Sequence, residues 1–213
     1  MTFPSNNQKY FFCIAGNIGS GKSSLTKKLS ELFGWKAYYE SVDDNPYLPD
    51  FYADMKRWAF HLQVYFLSKR FQTHKEIVES PSSVIQDRSI YEDAEIFARN
   101  LHEIGKMDDR DYENYRSLFY TMTDYLQPPD LMIYLKCPME TLLRQIHRRG
   151  RSYEQTIPRE YLEQLNGHYE NWIEHYNLGP LLVIENTDLD FVHRDRDLTY
   201  VVDMIRDKME ATV

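Results

Sequence analysis

The stretch Gly16-Asn17-Ile18-Gly19-Ser20-Gly21-Lys22-Ser23 limits what this chain can fold into more than any other, because it meets every fixed position of the pattern G-x-x-x-x-G-K-[ST]. The pattern needs a strand before it and a helix after it, and the apolar run over residues 10–15 supplies the strand. Glycines at 16, 19 and 21 let the backbone turn with its N–H groups pointing inward, so that a phosphate chain sits at the N-terminus of the following helix. Lys22 then reaches the β- and γ-phosphates, and the Ser23 hydroxyl holds a magnesium ion. Asn17, Ile18, Ser20 and Ser24 complete the candidate phosphate-binding set. The alternative is a glycine-rich strand-to-helix turn that carries a lysine by chance.

The apolar runs that follow extend this start into a sheet. Residues 23–33 predict a helix with Leu25, Leu29 and Leu32 on one face, and Gly34 as its C-cap. Residues 36–40 read as a short strand ending in Glu40, and 41–49, with two prolines beside acidic and amide residues, as a loop. Residues 51–79 lack proline and glycine and carry apolar residues at helical spacing, which predicts one long helix. At about 100° per residue, Tyr52, Gln63 and Arg70 fall within about 20° of one another on it. Such a polar stripe is either a binding face or a row of side chains snorkelling at the edge of a core.

After a break at 80–83, residues 84–87 form a third strand leading into Asp87-Arg88-Ser89. A helix over 91–101 places Asp93 and Phe97 on one face, a turn over 105–109 follows, and 111–126 is helical again. Gln127-Pro128-Pro129 stops that helix, and 131–135 is the fourth strand. The helix over 139–149 ends in Arg148-Arg149-Gly150-Arg151. Pro158 opens another, to residue 176, with Leu162, Leu165, Tyr169, Trp172 and Ile173 as its apolar stripe. Residues 181–184 are a fifth strand and 198–209 a last helix. Five short apolar runs alternating with helices predict an α/β fold, a doubly wound five-stranded parallel sheet flanked by helices. At 213 residues, with no Gly/Ser/Pro-rich linker, the chain reads as a single domain.

A formal net charge of −8 argues against a nucleic-acid polymer as partner, since phosphate binding on that scale needs a basic face. No run approaches the roughly 20 apolar residues of a membrane span, and the first residues lack the apolar stretch of a signal peptide. Cys13 and Cys137 fall in or beside buried strands, so a reduced, cytoplasmic, soluble chain is expected.

In an open parallel sheet, sites gather beyond the carboxyl ends of the strands. That rim collects the phosphate loop, Glu40, Asp87-Arg88-Ser89 and the arginines before Pro158. Phosphoryl transfer needs such a set: donors and a metal on the phosphates, a base for the acceptor's proton, and mobile arginines that stabilise charge and exclude water. Glu40 is the natural base, though it also reads as a turn cap or an arginine's partner. Asp87 would complete the magnesium shell and Arg88 would hold the acceptor oxygen; otherwise the two are an ordinary ion pair. The run over 144–151 is either a set of lid arginines or a solvated helix end favoured by its dipole.

Beyond the phosphate loop stand Asp43-Asp44-Asn45-Pro46-Tyr47-Leu48, Arg57-Trp58-Ala59-Phe60-His61-Leu62-Gln63 and Asp87-Arg88-Ser89-Ile90-Tyr91-Glu92-Asp93. Arg149-Gly150-Arg151 follows, and then Glu154. In order and spacing these stretches resemble the deoxyribonucleoside kinase family over nearly the whole chain, in particular its bacterial deoxyadenosine kinases. The resemblance implies a P-loop kinase-type fold with an arginine-rich lid at about 144–157, ATP as phosphoryl donor, magnesium and a homodimer. It implies that Glu40 is the base for the sugar 5′-hydroxyl and that Arg88 contacts the same oxygen. Tyr52 and Glu154 would hold the 3′-hydroxyl, Gln63, Arg70 and Asp93 the base edge, and Phe97 the base face. Arg149 and Arg151 would be lid arginines, and Asp190-Phe191 would lie near the adenine of ATP. Two positions depart from the family. Asn45 stands where many members carry an aromatic residue five positions after the base, which predicts a more polar sugar end, and Arg144 lies one position from the first lid arginine of animal members.

The reading that results is an ATP-dependent deoxynucleoside 5′-kinase that favours deoxyadenosine. Gln63 offers adenine a donor and an acceptor, and an Arg70–Asp93 pair leaves little room for a thymine methyl. The same amide also suits guanine or cytosine. A nucleoside monophosphate kinase would need more basic residues than Arg88 to grip an acceptor phosphate, and a non-catalytic relative usually loses the lysine or the base. A nucleic-acid-stimulated ATPase would need a basic stripe with interleaved aromatics. The helices over 91–101 and 111–126 carry Ile96, Phe97, Leu101, Tyr115, Leu118, Phe119 and Met122, more apolar surface than one sheet face covers, which also predicts two-fold pairing.

Overall fold

A computed structural model describes residues 9–40, 45–151, 154–155 and 157–211. Asp43, Asp44 and part of the 144–157 segment lie outside these described residues. Five strands, β1 (Phe11–Ala15), β2 (Lys36–Tyr38), β3 (Val84–Asp87), β4 (Leu131–Lys136) and β5 (Leu181–Glu185), form one sheet in the order β2-β3-β1-β4-β5. Every neighbouring pair is parallel.

Both sheet faces are covered, which is why the strands read as unbroken apolar runs and not as alternating ones. Successive residues of β1 point to opposite sides. Phe12 and Ile14 join a core with Leu25 and Leu29 of α1 (Lys22–Phe33) and Val201 and Ile205 of α9 (Asp195–Glu210). Cys13 and Ala15 join the other core, with Leu62 and Leu67 of α3 (Met55–Glu79) and Leu165 and Tyr169 of α8 (Arg159–Glu174). The doubly wound architecture is therefore present as expected. Gly34 caps α1 with φ 69°, and Leu32, one turn before it, is 36 % exposed and outside the core.

The long helix over 51–79 is two helices. Asp54 leaves helical conformation (φ −145°, ψ 84°), and its side chain accepts from the Arg57 N–H at 3.2 Å, so it N-caps α3. Before it, α2 (Leu48–Ala53) carries Pro49 in its first turn, where a missing N–H costs nothing, and so the 41–49 loop ends earlier than expected. Tyr52 belongs to α2, and the stripe it was to form with Gln63 and Arg70 is not one helical face.

The helix expected over 91–101 comprises α4 (Ile90–Glu92), a π-helical stretch (Asp93–Ala98) and α5 (Arg99–Glu103). The wider π turn and the next helix, α6 (Asp109–Thr123), bring Ile96, Leu101, Tyr115 and Phe119 into this chain's own core against α3 and α8. Of the seven apolar residues that suggested pairing, Leu118 is left 43 % exposed, so most of the expected surplus is covered within the chain. The remaining helix, α7 (Met139–Arg149), ends at Gly150 in the left-handed region, φ 71°.

Loss of a capping carboxylate costs about 0.5–2 kcal/mol, which in a chain of this size lowers Tm by about 2–6 °C. Asp54→Ala should show that shift in thermal unfolding, and Asp54→Ser should recover most of it. An unchanged Tm would mean that the break between α2 and α3 does not depend on this cap.

Candidate active site

The phosphate loop leaves β1 and turns through Gly19, whose φ of +85° and surroundings admit no side chain. A Cβ there would stand 2.8 Å from the Leu142 carbonyl oxygen and from the Ile146 side chain. Asn17 ties the loop to α8: its Nδ2 donates to the Leu162 carbonyl at 2.9 Å and to Asn166 Oδ1 at 2.8 Å, both on α8, while its Oδ1 accepts from the Ile18 N–H at 2.7 Å. On the other side Asn186, just past β5, donates to the Ser20 carbonyl at 2.9 Å. The loop is thus anchored from two elements. Lys22 spans it, with Nζ donating to the Asn17 carbonyl at 2.9 Å. Burial, with Arg88 nearby, lowers Lys22 to about 8 against the pull of Asp87, Glu92 and Glu40.

Ser23 opens α1, and its hydroxyl donates to Asp87 Oδ2 at 2.5 Å, at the end of β3. Asp87 Oδ1 is buried and without a hydrogen-bond partner among the described residues. An orphaned carboxylate oxygen beside a hydroxyl is a hard donor pair that fits magnesium. Burial pushes the Asp87 carboxyl up, partly offset by Lys22.

In front of the loop lies a cavity of ≈ 410 Å³. Ile18, Gly19, Lys22 and Ser23 line one end, Glu40, Asp87 and Arg88 the middle, and Tyr52, Gln63, Asp93 and Phe97 the other end. Arg149, Arg151 and Glu154 complete the wall. Tyr52 and Gln63 therefore do converge, from two helices and not from one stripe. Gln63 Oε1 is buried and finds no partner among the described residues, so its carbonyl is left for whatever fills that end.

Arg70 does not line the cavity. It stands behind the wall and ties it together, with Nη2 on Glu40 Oε1 and Nε on Asp93 Oδ2, both at 2.6 Å. Its Nη1 donates to the Arg88 carbonyl at 3.2 Å. Burial pushes the Asp93 carboxyl up to about 7, and the guanidinium at contact distance opposes that rise in part. Glu40 also receives Arg88 Nε at 3.2 Å. Burial works against its charge, but Arg88, Arg70 and Lys22 overturn this and hold the carboxyl at about 2.

Arg88 is the one non-glycine among the described residues with a left-handed backbone, φ 70°. Such a conformation costs about 1–3 kcal/mol and persists where the surroundings over-determine it. Here they do: the guanidinium lies 4.7 Å from the Phe97 ring centroid and donates to the Tyr169 hydroxyl at 2.7 Å and to Glu92 Oε1 at 3.4 Å. The sequence reading missed Glu92 and took Tyr169 only as part of an apolar stripe. The spacing Ser89-x-x-Glu92 is a capping-box signature, and the box is formed.

Other expected residues are placed elsewhere. Asn45 is buried, with Oδ1 accepting from the Tyr47 N–H at 2.9 Å, and it does not reach the cavity, so it adds no polarity there. Arg144 donates to Thr141 on its own helix at 3.2 Å. Glu154 is paired with Arg149 at 2.7 Å and Arg151 at 3.4 Å. Phe191 packs behind the loop, 3.1 Å from where a Cβ on Gly21 would lie. Asp190 accepts from the His193 N–H at 3.1 Å, and neither residue lines the cavity.

A family model described as deoxynucleoside kinase matches residues 12–210. Over 194 residues the chain is 44 % identical to a deoxyadenosine/deoxycytidine kinase of Bacillus subtilis, covering 90 % of this chain and 89 % of that protein. It is 41 % identical over 206 residues to a deoxyguanosine kinase of Lactobacillus acidophilus, covering 92 % and 90 %. Among solved structures, a deoxyadenosine kinase from M. mycoides with bound dATP superimposes with a TM-score of 0.82 at 29 % identity, covering 92 % of this chain and 99 % of that one.

Because burial lowers Lys22 to about 8, a polyphosphate that prefers the ammonium form must bring a proton with it above that pH. Calorimetry of ATP binding in buffers of different ionisation enthalpy should show proton uptake at pH 9 and little at pH 7. Affinity should be about 10-fold weaker at pH 9, and Lys22→Met should abolish the uptake. Equal affinity at both pH values would overturn this.

Proposed function

The chain belongs to the deoxynucleoside kinase family, and from that premise we propose that it transfers the γ-phosphoryl group of ATP to the 5′-hydroxyl of a deoxyribonucleoside, deoxyadenosine foremost. The observation that carries this is Glu40. It is a carboxylate held ionised between two arginines in a cavity that Lys22 also lines, together with Gln63, whose carbonyl has no partner among the described residues.

In this reading the nucleoside's base lies against Phe97 with its edge toward Gln63 and Asp93, and Arg70 holds Asp93 from behind the wall. Its 3′-hydroxyl meets Tyr52 and Glu154. The 5′-hydroxyl then points at Glu40, which accepts its proton as the oxygen attacks, while Arg88 holds that oxygen in line. The Gly16, Ile18 and Ser20 N–H groups are already taken by Glu92 and Asn17, so the phosphate chain is held by the N–H groups of Gly19 and Gly21 to Ser24 and by the Lys22 side chain, and the adenine of ATP lies near the Asp190-Phe191 turn. Ser23 and Asp87 would hold a magnesium ion, which would supply neutralisation of phosphate charge. Arg149 and Arg151 face the phosphates once Glu154 exchanges them for the sugar. Deoxyadenosine is favoured because Gln63 Oε1 accepts from an exocyclic amine while its amide donates to a ring nitrogen. A deoxycytidine or deoxyguanosine preference is the second reading, supported by the same amide.

The protein is taken to work in the cytoplasm as a homodimer with no polymer or membrane partner; no helix among the described residues is long and apolar enough to cross a membrane. Leu118 and Tyr120 on α6, with Tyr125 just beyond it, are the exposed apolar residues that would seat the second copy. Light scattering at micromolar concentration should return twice the single-chain mass, and the single-chain mass would exclude the pairing.

Glu40→Gln keeps the shape and removes the base, so kcat should fall by about 10²- to 10⁴-fold with ATP affinity no weaker than in the native chain. An unimpaired kcat would take Glu40 out of the mechanism. For base choice, Gln63→Met leaves the nucleoside's polar edge unpaired, which costs roughly 5- to 150-fold in kcat/KM for deoxyadenosine. The ratios among the four deoxynucleosides should change with it. Unchanged ratios, or thymidine as the best substrate of the native chain, would sink the assignment.

A further inference from the structure

Glu92 is wholly buried, yet its carboxylate serves two parts of the site at once. Oε2 accepts from the Ser89 N–H at 2.6 Å and from the Ser89 hydroxyl at 3.1 Å, which fixes the carboxylate plane. Oε1 then receives the Tyr169 hydroxyl at 2.7 Å, the Gly16 N–H at 3.3 Å and Arg88 Nη1 at 3.4 Å. Gly16 is the first residue of the phosphate loop, and Arg88 is the arginine that faces Glu40. A helix cap uses only the Oε2 side of this arrangement, and an exposed glutamate would serve it equally well. Capping therefore does not account for the burial or for the three donors on Oε1.

Tyr169 closes the arrangement. Its single hydroxyl accepts from Arg88 at 2.7 Å and donates to Glu92 at 2.7 Å, so it sets the direction of the guanidinium relative to the carboxylate. It projects from α8, the helix whose earlier turns hold Asn17 of the phosphate loop. One helix thus grips the loop through Asn17 and the strained Arg88 through Tyr169.

We infer that Glu92 and Tyr169, neither of which lines the cavity, are positioning residues that fix the separation between the first N–H of the phosphate loop and the Arg88 guanidinium. The inference rests on the kinase reading above. In-line transfer needs the acceptor oxygen, held by Arg88, and the γ-phosphorus, held by the loop, at near-attack distance, and a small misplacement there lowers turnover far more than binding. The two residues act on the alignment of donor and acceptor and on neither substrate's affinity.

The test is Tyr169→Phe, which removes one oxygen and keeps the ring. It should lower kcat by about 10- to 100-fold, the range for a hydrogen bond to a charged group, while both KM values stay within about 2-fold. Glu92→Gln should cost at least as much, and the double variant no more than Glu92→Gln alone, because the two act as a unit. Independently of activity, NMR-detected exchange of the Gly16 amide and the Arg88 Nη1–H should be faster in Tyr169→Phe than in the native chain. Native kcat with native exchange in Tyr169→Phe overturns the inference, as do additive losses in the double variant or a kcat loss matched by lost folded protein. If Glu92→Gln does not fold, Tyr169→Phe decides alone. If the native chain phosphorylates no deoxynucleoside, the kinase reading fails and the exchange measurement decides whether the clamp exists.

Discussion

Glu40 is paired with two arginines at once, accepting a hydrogen bond from Arg70 and lying in ion-pair contact with Arg88, and the rim of the sheet is built so that neither arginine depends on it alone. Arg70 also holds Asp93, and Arg88 also holds Glu92 and Tyr169. Removing one member of a buried ion pair costs about 3–5 kcal/mol because the other is left charged without water. The network therefore ties β3, α3, α4 and the π-helical stretch to one geometry, and the strained backbone at Arg88 is tolerated within it. Its pH response follows from the same contacts. The Glu40 carboxyl is depressed to about 2 in the folded chain, so what it contributes to stability is present above its unfolded value of about 4.3 and fades as pH falls toward 2.

The sequence carried most of the fold because the controlling signals are local. A run of apolar residues buried on both faces, a glycine that only a left-handed turn explains and a proline at a helix start can each be read within a few positions. The break at Asp54 was hidden because an aspartate inside a helical hydrophobic pattern looks like any exposed residue until its side chain is seen on the Arg57 N–H. The π-helical stretch was hidden for a related reason. One extra residue per turn changes no residue type, yet it helps bring Ile96 and Leu101 into the core and removes most of the apolar surplus that pairing was read from.

The site was legible in a different way. Lys22, Ser23, Glu40, Asp87 and Arg88 follow from strand ends and a phosphate loop, which chemistry and topology confine to one rim. Tyr52 was placed correctly for a wrong reason: it reaches the cavity from α2, on the far side of a break in the helix it was assigned to. Glu92 was passed over because its deciding partners, Gly16 and Tyr169, are 76 and 77 positions away, and no local pattern reports such contacts. Asn17 shows the converse: a loop position by motif, it spends its side chain on α8.

A carboxylate held at about 2 is a poor proton acceptor, and the groups that hold it there are Arg88, Arg70 and Lys22. Lys22 lies where a phosphate chain docks. Negative charge arriving at Lys22 screens it from Glu40 and so raises the affinity of Glu40 for a proton by the same Coulomb coupling that lowered it. The coupling is reciprocal: whatever protonates Glu40 also favours anion binding beside Lys22.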